Sequence, residues 1–176
     1  MRLVTDRLVL RDYTMLDLEV EYQNNIDPEL FTYMPFGPGT LEGTRERIER
    51  MIEKQNQDPR TDFDVAVTLK KSMVLIGGCR LNKTSDIEGH VGYKFARSHW
   101  GKGYATEAAK ALVDYGFNVL KLHRVYATVH PENGASIRVL EMVGMMREGR
   151  LRENMLYDGV YGDSLIYSIL EHEWTP

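Results

Sequence analysis

Two glycines surround a lysine directly before a helical pattern, in the stretch HWGKGYATEA from His99 to Ala108. Gly101 and Gly103 suit the dihedral angles of a tight turn, and they leave the backbone bare where a side chain would block a close ligand. The small and apolar residues that follow predict a helix from about 104 to 119. A strand, a glycine turn and a helix start in this order leave several backbone N–H groups free at one point. The sequence therefore predicts an anion-binding site here.

Neither of the two common nucleotide loops is present. A Walker loop needs GxxxxGK[ST], and a dinucleotide fingerprint needs GxGxxG at the start of the first βαβ unit. WGKGYA fits neither pattern, so nucleotide hydrolysis and hydride transfer lose support. From the loop alone, the alternative is an ordinary strand-to-helix connection with two turn glycines.

Bulk properties narrow the class of protein. The chain has 176 residues, which is the size of one domain, and we expect residues 1–176 to form a single domain. A net charge of -4 without a long basic run predicts no nucleic-acid partner and no membrane partner. The lone Cys79 excludes a disulfide framework and argues against a Cys-based metal site, so we expect no metal. The N-terminal charges favour a cytoplasmic location, because they leave no signal-peptide core.

The apolar patterns predict a mixed α/β fold with hairpinned strands first and helical crossovers later. Three consecutive strands in the middle of the chain are expected to be antiparallel. The predicted strands are 8–11, 62–69, 73–83, 88–97, 123–130, about 145–150 and 164–170. The predicted helices are 15–24 with a capping box at Thr14 and Asp17, 44–57, 104–119 and a short one after Asn133.

The segment PELFTYMPFGPG, from Pro28 to Gly39, cannot continue a helix, because two more prolines and two glycines interrupt it. Its apolar side chains are either core plugs or the wall of a binding cleft. Tyr33 and Phe36 are accordingly candidate substrate contacts.

WGKGYATEA resembles the acyl-CoA pyrophosphate loop of the GNAT acetyltransferase superfamily, whose pattern is Gln/Arg-x-x-Gly-x-Gly/Ala. Trp100, Gly103 and Ala105 fall on its three fixed positions. RLVLRDYTMLDL, LHRVYATVHPENGASIRVLEMVGM and REGRLRENMLYDGVYGDSLIYSIL are similar to the RimJ/RimL branch, which contains N-terminal amine acetyltransferases of ribosomal proteins. The resemblance covers essentially the whole chain. Trp100 replaces the usual Gln or Arg, and Met145 stands where the family usually has Phe.

The resemblance implies the GNAT fold, a mixed and mostly antiparallel central sheet flanked by helices and splayed between strands four and five, here 88–97 and 123–130. It implies acetyl-CoA as co-substrate, with the strand end pairing with the pantetheine arm and the glycine loop holding the pyrophosphate. The implied cofactor-binding residues are Phe95, Ala96, Arg97, Gly101, Lys102, Gly103, Tyr104, Ala105, Thr106, Asn133 and Ser136.

Asn133 and Ser136 form the Asn-x-x-Ser of this branch. By itself Asn133 fits an ordinary helix N-cap, and Ser136 fits a first-turn residue that bonds its own backbone. The resemblance implies direct attack of an amine on the acetyl thioester, with Ser136 supplying the proton to sulfur. A backbone N–H around 94–96 is the implied donor to the carbonyl oxygen.

The implied base is Glu88, with His90 and Glu153 as rivals that act directly or through water. The acceptor is a peptide N-terminus or a small-molecule amine. An α-amine with a pKa near 8 is roughly 10% neutral at pH 7, far more than a lysine side chain with a pKa near 10.4. Leu140 stands where a polyamine-acetylating branch has a tyrosine, which argues mildly against a polyamine. The alternative function is a non-catalytic acetyl-CoA sensor, and a homodimer is a further expectation because members of this branch are often dimers.

Overall fold

A computed structural model describes residues 1–157 and 159–175. Within these residues one sheet of eight strands forms the centre of the molecule. The strands are β1 (Arg2–Val4), β2 (Leu8–Asp12), β3 (Asp62–Leu69), β4 (Leu75–Lys83), β5 (Glu88–Phe95), β6 (Arg124–Val129), β7 (Met146–Tyr157) and β8 (Val160–Leu170). The α-helices are α1 (Leu18–Asn24), α2 (Leu41–Gln55), α3 (Tyr104–Asn118) and α4 (Gly134–Val143). None of the helices in the described residues is long and apolar enough to cross a membrane.

The sheet opens in its middle. Strands β1 to β5 pair antiparallel in chain order, and β6, β8 and β7 continue the sheet, also antiparallel. Between them β5 and β6 are parallel and pair only from Glu88 opposite Arg124 to His90 opposite Tyr126, within the described residues. Beyond that point the two strands diverge, and we call the gap between 91–95 and 127–129 the wedge. The predicted splay is confirmed. Its two strands, predicted as the fourth and fifth, are numbered β5 and β6 because the N-terminal strand β1 was not predicted.

Helices cover both faces of the sheet. On one face α3 and α4 bury an apolar core that includes Val65, Leu81, Leu112 and Val125, all fully buried. On the other face Ile48 of α2 packs with Tyr13, Ala66 and Leu75. The wedge therefore connects two sides of the molecule, each lined by helices.

Several predicted boundaries shift for local reasons. Helix α2 begins at Leu41 rather than 44, because the Thr40 hydroxyl accepts a hydrogen bond from the Gly43 N–H at 3.0 Å and caps the helix. The predicted capping box is present, since the Asp17 carboxylate accepts from the Thr14 N–H at 2.9 Å. The last two strands are longer than predicted and form one hairpin, β7–β8.

Candidate active site

The backbone of β5 presents hydrogen-bonding groups to the wedge. The Ala96 N–H donates to the Ile76 carbonyl at 2.9 Å. Because ladder bonds alternate along an antiparallel pair, Lys94 and Gly92 also direct their backbone groups at β4. The N–H groups of Tyr93 and Phe95 therefore face the wedge. Within the expected stretch 94–96, only Phe95 offers an N–H on the open side.

Strand β6 faces the wedge in the same way. The His123 carbonyl accepts from the Glu171 N–H at 3.0 Å, on the β8 side of the strand. Alternation then directs the backbone of Thr128 away from β8 and into the wedge. Both edges of the wedge thus carry backbone groups able to pair with an extended ligand.

The glycine loop leads from η3 (Arg97–His99), a short 3-10 turn after β5, into α3. Gly101 and Gly103 have φ values of +72° and +78°, the left-handed region that favours glycine. The first helical bond runs from the Glu107 N–H to the Gly103 carbonyl at 3.1 Å, so the N–H groups of 104–106 have no partner in the described residues. The Thr106 Oγ1 is buried and likewise without a described partner. These donors lie together at the start of α3, an arrangement that can bind an oxyanion, and we call them the cradle.

A carboxylate fixes the cradle to the β1–β2 turn. Glu107 accepts hydrogen bonds from the Thr5 hydroxyl at 2.6 Å, from the Arg7 N–H at 2.9 Å and from Arg7 Nε at 2.6 Å. Arg7 Nη1 also donates to the Lys102 carbonyl at 2.9 Å. Burial by itself raises the pKa of Glu107, but the hydrogen bonds from Thr5 and Arg7 outweigh it and hold that pKa below its usual value.

The N-terminus of α4 follows the end of β6, which borders the wedge on the side away from β5. Asn133 Oδ1 accepts from the Ser136 N–H at 3.0 Å, so Asn133 is the helix N-cap. The Ser136 Oγ lies 3.0 Å from the Tyr93 hydroxyl, which also donates to the Ser136 carbonyl at 3.1 Å. Tyr93 was not predicted; its placement in β5 gave no sign that it meets α4.

One cavity of about 370 Å³ runs from α4 through the wedge to the opposite face of the sheet. Asn133 and Ser136 line it at one end. Tyr33 and Phe36 also lie in its wall, and the Tyr33 ring centroid is 5.1 Å from that of His130. The loop 28–39 therefore reaches over the end of β6.

Polar side chains under α1 and α2 line the acceptor end of this cavity, the part on the α1–α2 face of the sheet. Burial, together with Arg80, lowers the pKa of His90 to about 4, so the ring is neutral at pH 7. Burial raises the pKa of Asp64 above its usual value. Asp64 and Arg80 were missed, although a charged residue inside an otherwise apolar strand is a signal that could have found them.

The three candidate bases occupy different places. His90 lines the cavity, with Nε2 3.3 Å from the Thr128 Oγ1. Glu88 lies at the closed end of the wedge and accepts from Arg124 Nη1 at 2.8 Å. Glu153 lies on the exposed hairpin, where its N–H donates to Asp163 at 2.8 Å. Of the three, only His90 is in the cavity wall.

Two residues that were predicted to bind the cofactor direct their side chains to other parts of the protein. Arg97 Nη1 lies 2.7 Å from Glu29 Oε2 and 3.6 Å from Asp27 Oδ2, so its guanidinium points to the loop before 33 rather than to the wedge. Lys102 Nζ donates to the Ser98 carbonyl at 2.9 Å. Both residues can still contact a ligand through their backbones. No cluster of three or more metal-ligating side chains is found among the described residues.

A family model described as an acetyltransferase (GNAT) domain matches residues 7–146. The chain is 35% identical over 176 residues to the uncharacterised N-acetyltransferase p20 of Bacillus licheniformis, with 98% of each chain covered.

Solved structures give the same picture. An acetyltransferase of the GNAT family from Bacillus anthracis superposes with a TM-score of 0.88 at 32% identity, covering 98% of this chain and 99% of that one. The spermidine N-acetyltransferase of Vibrio cholerae, in complex with CoA and spermine, has a TM-score of 0.81 at 26% identity and covers 96% and 98%. RimJ of Mycobacterium smegmatis, in complex with CoA-disulfide, shares the fold with a TM-score of 0.83 at 23% identity, covering 96% and 84%.

Proposed function

The chain belongs to the acetyltransferase (GNAT) family, and we propose that it transfers the acetyl group of acetyl-CoA to a primary amine by direct attack. The resemblance read from WGKGYATEA is confirmed at the level of the family, and the protein is an acetyltransferase enzyme. One observation carries the proposal. A single cavity joins the N-terminus of α4 to the acceptor side through the wedge, so a thioester and an amine can meet inside the sheet.

The cradle supports acetyl-CoA as the donor. The N–H groups of 104–106 and the Thr106 hydroxyl, which have no partners among the described residues, suit the oxygens of a pyrophosphate. The open N–H groups of Tyr93 and Phe95 suit a pantetheine arm that pairs as an added strand. One of them also serves as the donor to the carbonyl oxygen as negative charge develops on it.

The acetyl thioester supplies the electrophilic carbon, and side chains at the wedge handle the protons. Neutral His90 accepts a proton from the attacking amine, directly or through one water. The Ser136 hydroxyl donates a hydrogen bond to the departing thiolate, which water protonates as CoA leaves. A free thiol has a pKa of roughly 8.5, so this sulfur needs only modest help to leave near pH 7.

The amine belongs to a small molecule or to a peptide N-terminus. An α-amine keeps a larger neutral fraction at pH 7 than a lysine side chain, which suits a base as weak as His90. We also place the enzyme in the cytoplasm, in keeping with the free thiol of Cys79, and we keep the homodimer as part of the proposal.

The test is release of CoA thiol by the purified protein, measured with acetyl-CoA and a panel of amino acids, N-terminal peptides, lysine peptides and polyamines. We expect thiol release that depends on one class of amine, and calorimetric binding of acetyl-CoA. Binding of acetyl-CoA without amine-dependent thiol release would favour the alternative function, a non-catalytic acetyl-CoA sensor. Absence of binding would overturn the proposal.

A further inference from the structure

The acceptor end of the cavity carries more positive than negative charge. Its charged side chains are the cations Arg47, Arg80 and Lys94 and the carboxylates Glu21 and Asp64. Glu21 and Arg47 neutralise each other, because Arg47 Nη2 lies 2.9 Å from the buried Glu21 Oε1. Two cations then face one remaining carboxylate.

Arg80 is directed toward the wedge. A Cβ at position 92 would lie 3.1 Å from Arg80 Nε and 3.5 Å from its Cγ, so the Arg80 side chain occupies the space that Gly92 leaves open on β5. Asp64 is its cross-strand neighbour on β3. Even so, Arg80 makes no ion pair or side-chain hydrogen bond with the part of the chain that the structure describes. Its fork of N–H donors is free for a planar anion.

Lys94 is the second cation at this end of the cavity. It lies two residues after Gly92 on β5 and therefore on the same face of the sheet. Its ammonium is mostly buried and lies 5.3 Å from the centre of the Phe31 ring, and residues 1–157 and 159–175 give it no carboxylate within ion-pair distance. Burying an ammonium without a counter-ion is costly, so an anion bound beside it would be strongly favoured.

We propose that the acceptor is an amine that also carries a carboxylate, which Arg80 and Lys94 bind while the amine faces His90 at the wedge. This assignment rests on the proposed acetyl transfer and specifies its substrate class. A free amino acid and a peptide with an acidic first residue share this chemistry. A polyamine would instead bring further positive charge against Arg80 and Lys94, with Asp64 as the one unpaired carboxylate facing it among the described lining residues.

The binding test needs no turnover. Protein saturated with CoA is titrated calorimetrically with N-acetylglutamate, N-acetylglycine, the N-acetylated amide of an N-terminal glutamyl peptide, and N-acetylspermidine. We expect the anionic probes to bind at least tenfold more tightly than N-acetylspermidine. Tight binding of the two amino-acid probes alone would identify the acceptor as a free amino acid. Binding of the peptide probe would identify it as a peptide with an acidic N-terminal residue. Equal or tighter binding of N-acetylspermidine, or no binding of any anionic probe, would overturn the proposal.

Variants test the residues. Arg80→Met and Lys94→Met should each lower the affinity for the anionic probes at least tenfold. Each should also raise the KM of the amine that corresponds to the bound probe, while leaving acetyl-CoA affinity unchanged. Arg50→Met, an exposed arginine on α2, is the control and should change neither. Neither Arg80 nor Lys94 forms an ion pair or a side-chain hydrogen bond with the described residues, so both variants should remain folded, which thermal unfolding checks. Unchanged anion affinity in both variants would refute the assignment of Arg80 and Lys94 as the carboxylate site. If the wild-type protein does not bind acetyl-CoA, the proposed function is refuted instead.

Discussion

The hydroxyl of Tyr93 on β5 lies 3.0 Å from the Oγ of Ser136 on α4 and 3.1 Å from the Ser136 carbonyl oxygen. A carbonyl oxygen can only accept, so Tyr93 donates its proton there, and in the 3.0 Å contact the Ser136 hydroxyl is the donor to the Tyr93 oxygen. Tyr93 thus holds the first turn of α4 at the wedge and orients the Ser136 hydroxyl, the group that we propose as the donor to sulfur.

This geometry predicts different effects for two conservative variants. Ser136→Ala should lower kcat about tenfold, which corresponds to about 1.4 kcal/mol, with little change in acetyl-CoA affinity. Tyr93→Phe should have a smaller effect on kcat, because it removes only the contact that orients Ser136. Steady-state kinetics with acetyl-CoA and the best amine measures both. A larger loss in Tyr93→Phe than in Ser136→Ala would make Tyr93 the proton donor.

The buried Thr106 hydroxyl gives a prediction that separates binding from folding. It has no hydrogen-bond partner in the described residues, so Thr106→Val removes no described bond and should leave the unfolding temperature unchanged or higher. Acetyl-CoA affinity should fall about three- to tenfold, because one donor to the pyrophosphate is lost. Thermal unfolding and calorimetry check the two parts. Full affinity in the variant would remove Thr106 from the cradle.

The glycine loop depends on backbone conformation at Gly103. Its φ of +78° strains any residue with a Cβ, and that Cβ would lie 3.3 Å from the Arg7 guanidinium. Gly103→Val should weaken acetyl-CoA binding more than tenfold in calorimetric titration. Gly39→Ala is the matched control, since a Cβ there meets nothing within 4 Å, and its affinity should equal that of the wild type. Equal affinities in both variants would contradict the loop's role.

Glu107 links the cradle to the N-terminal turn, and its pKa fixes the direction of the pH effect. A carboxyl whose folded pKa is lowered stabilises the protein above its unfolded pKa, about 4.3, and loses this contribution as the pH falls through the folded value. Glu107→Gln should therefore lower the free energy of unfolding by about 1–3 kcal/mol at pH 7 and by much less in acid.

Urea unfolding at pH 7 and in acid measures this difference. Glu46→Gln, an exposed carboxylate on α2, is the control and should change stability by no more than about 0.5 kcal/mol. A Glu107→Gln deficit that persists in acid would show that the carboxylate charge is not what stabilises the turn.

Binding of an anionic product analogue should depend on pH through Lys94. Burial lowers its pKa to about 8, opposed by Glu21 and reinforced by Arg47. The affinity of CoA-loaded protein for N-acetylglutamate should fall about tenfold from pH 7 to pH 9, as the ammonium loses its proton. His90 and Tyr13, which also line the cavity, do not titrate in this range. Burial lowers the pKa of His90 to about 4 and raises that of Tyr13 well above its usual value. Calorimetry on Lys94→Met should show a flat profile; a slope equal to the wild-type slope would assign the titration elsewhere.

Local signals in the sequence sufficed for the glycine loop and most of the strands. Gly101 and Gly103 are needed at positive φ, and the α3 pattern follows at helical spacing. Strand β1 was missed because its three residues are too short for a pattern. The strands of the hairpin β7–β8 were predicted too short because β7 is mostly exposed. A register shift between Leu151 and Met155 also breaks the alternation of apolar and polar residues along β7.

The site depends on relationships between strands that the sequence does not display. Glu88 was the expected base, but Arg124, brought beside it by the parallel pairing of β5 and β6, binds its carboxylate at the closed end of the wedge. The register of β4 against β5 sets Arg80 opposite Gly92 and so directs the Arg80 side chain toward the wedge. Neither contact follows from spacing along the chain, because each joins residues on different strands.

Direct acetyl transfer is tested by a grid of initial rates of thiol release, in which acetyl-CoA and the best amine are varied together. Direct attack in the wedge requires both substrates to be bound at once, so double-reciprocal plots should intersect. Parallel lines would indicate a covalent acetyl-enzyme and contradict direct transfer. Thiol release that does not depend on the amine would contradict acetyl transfer itself.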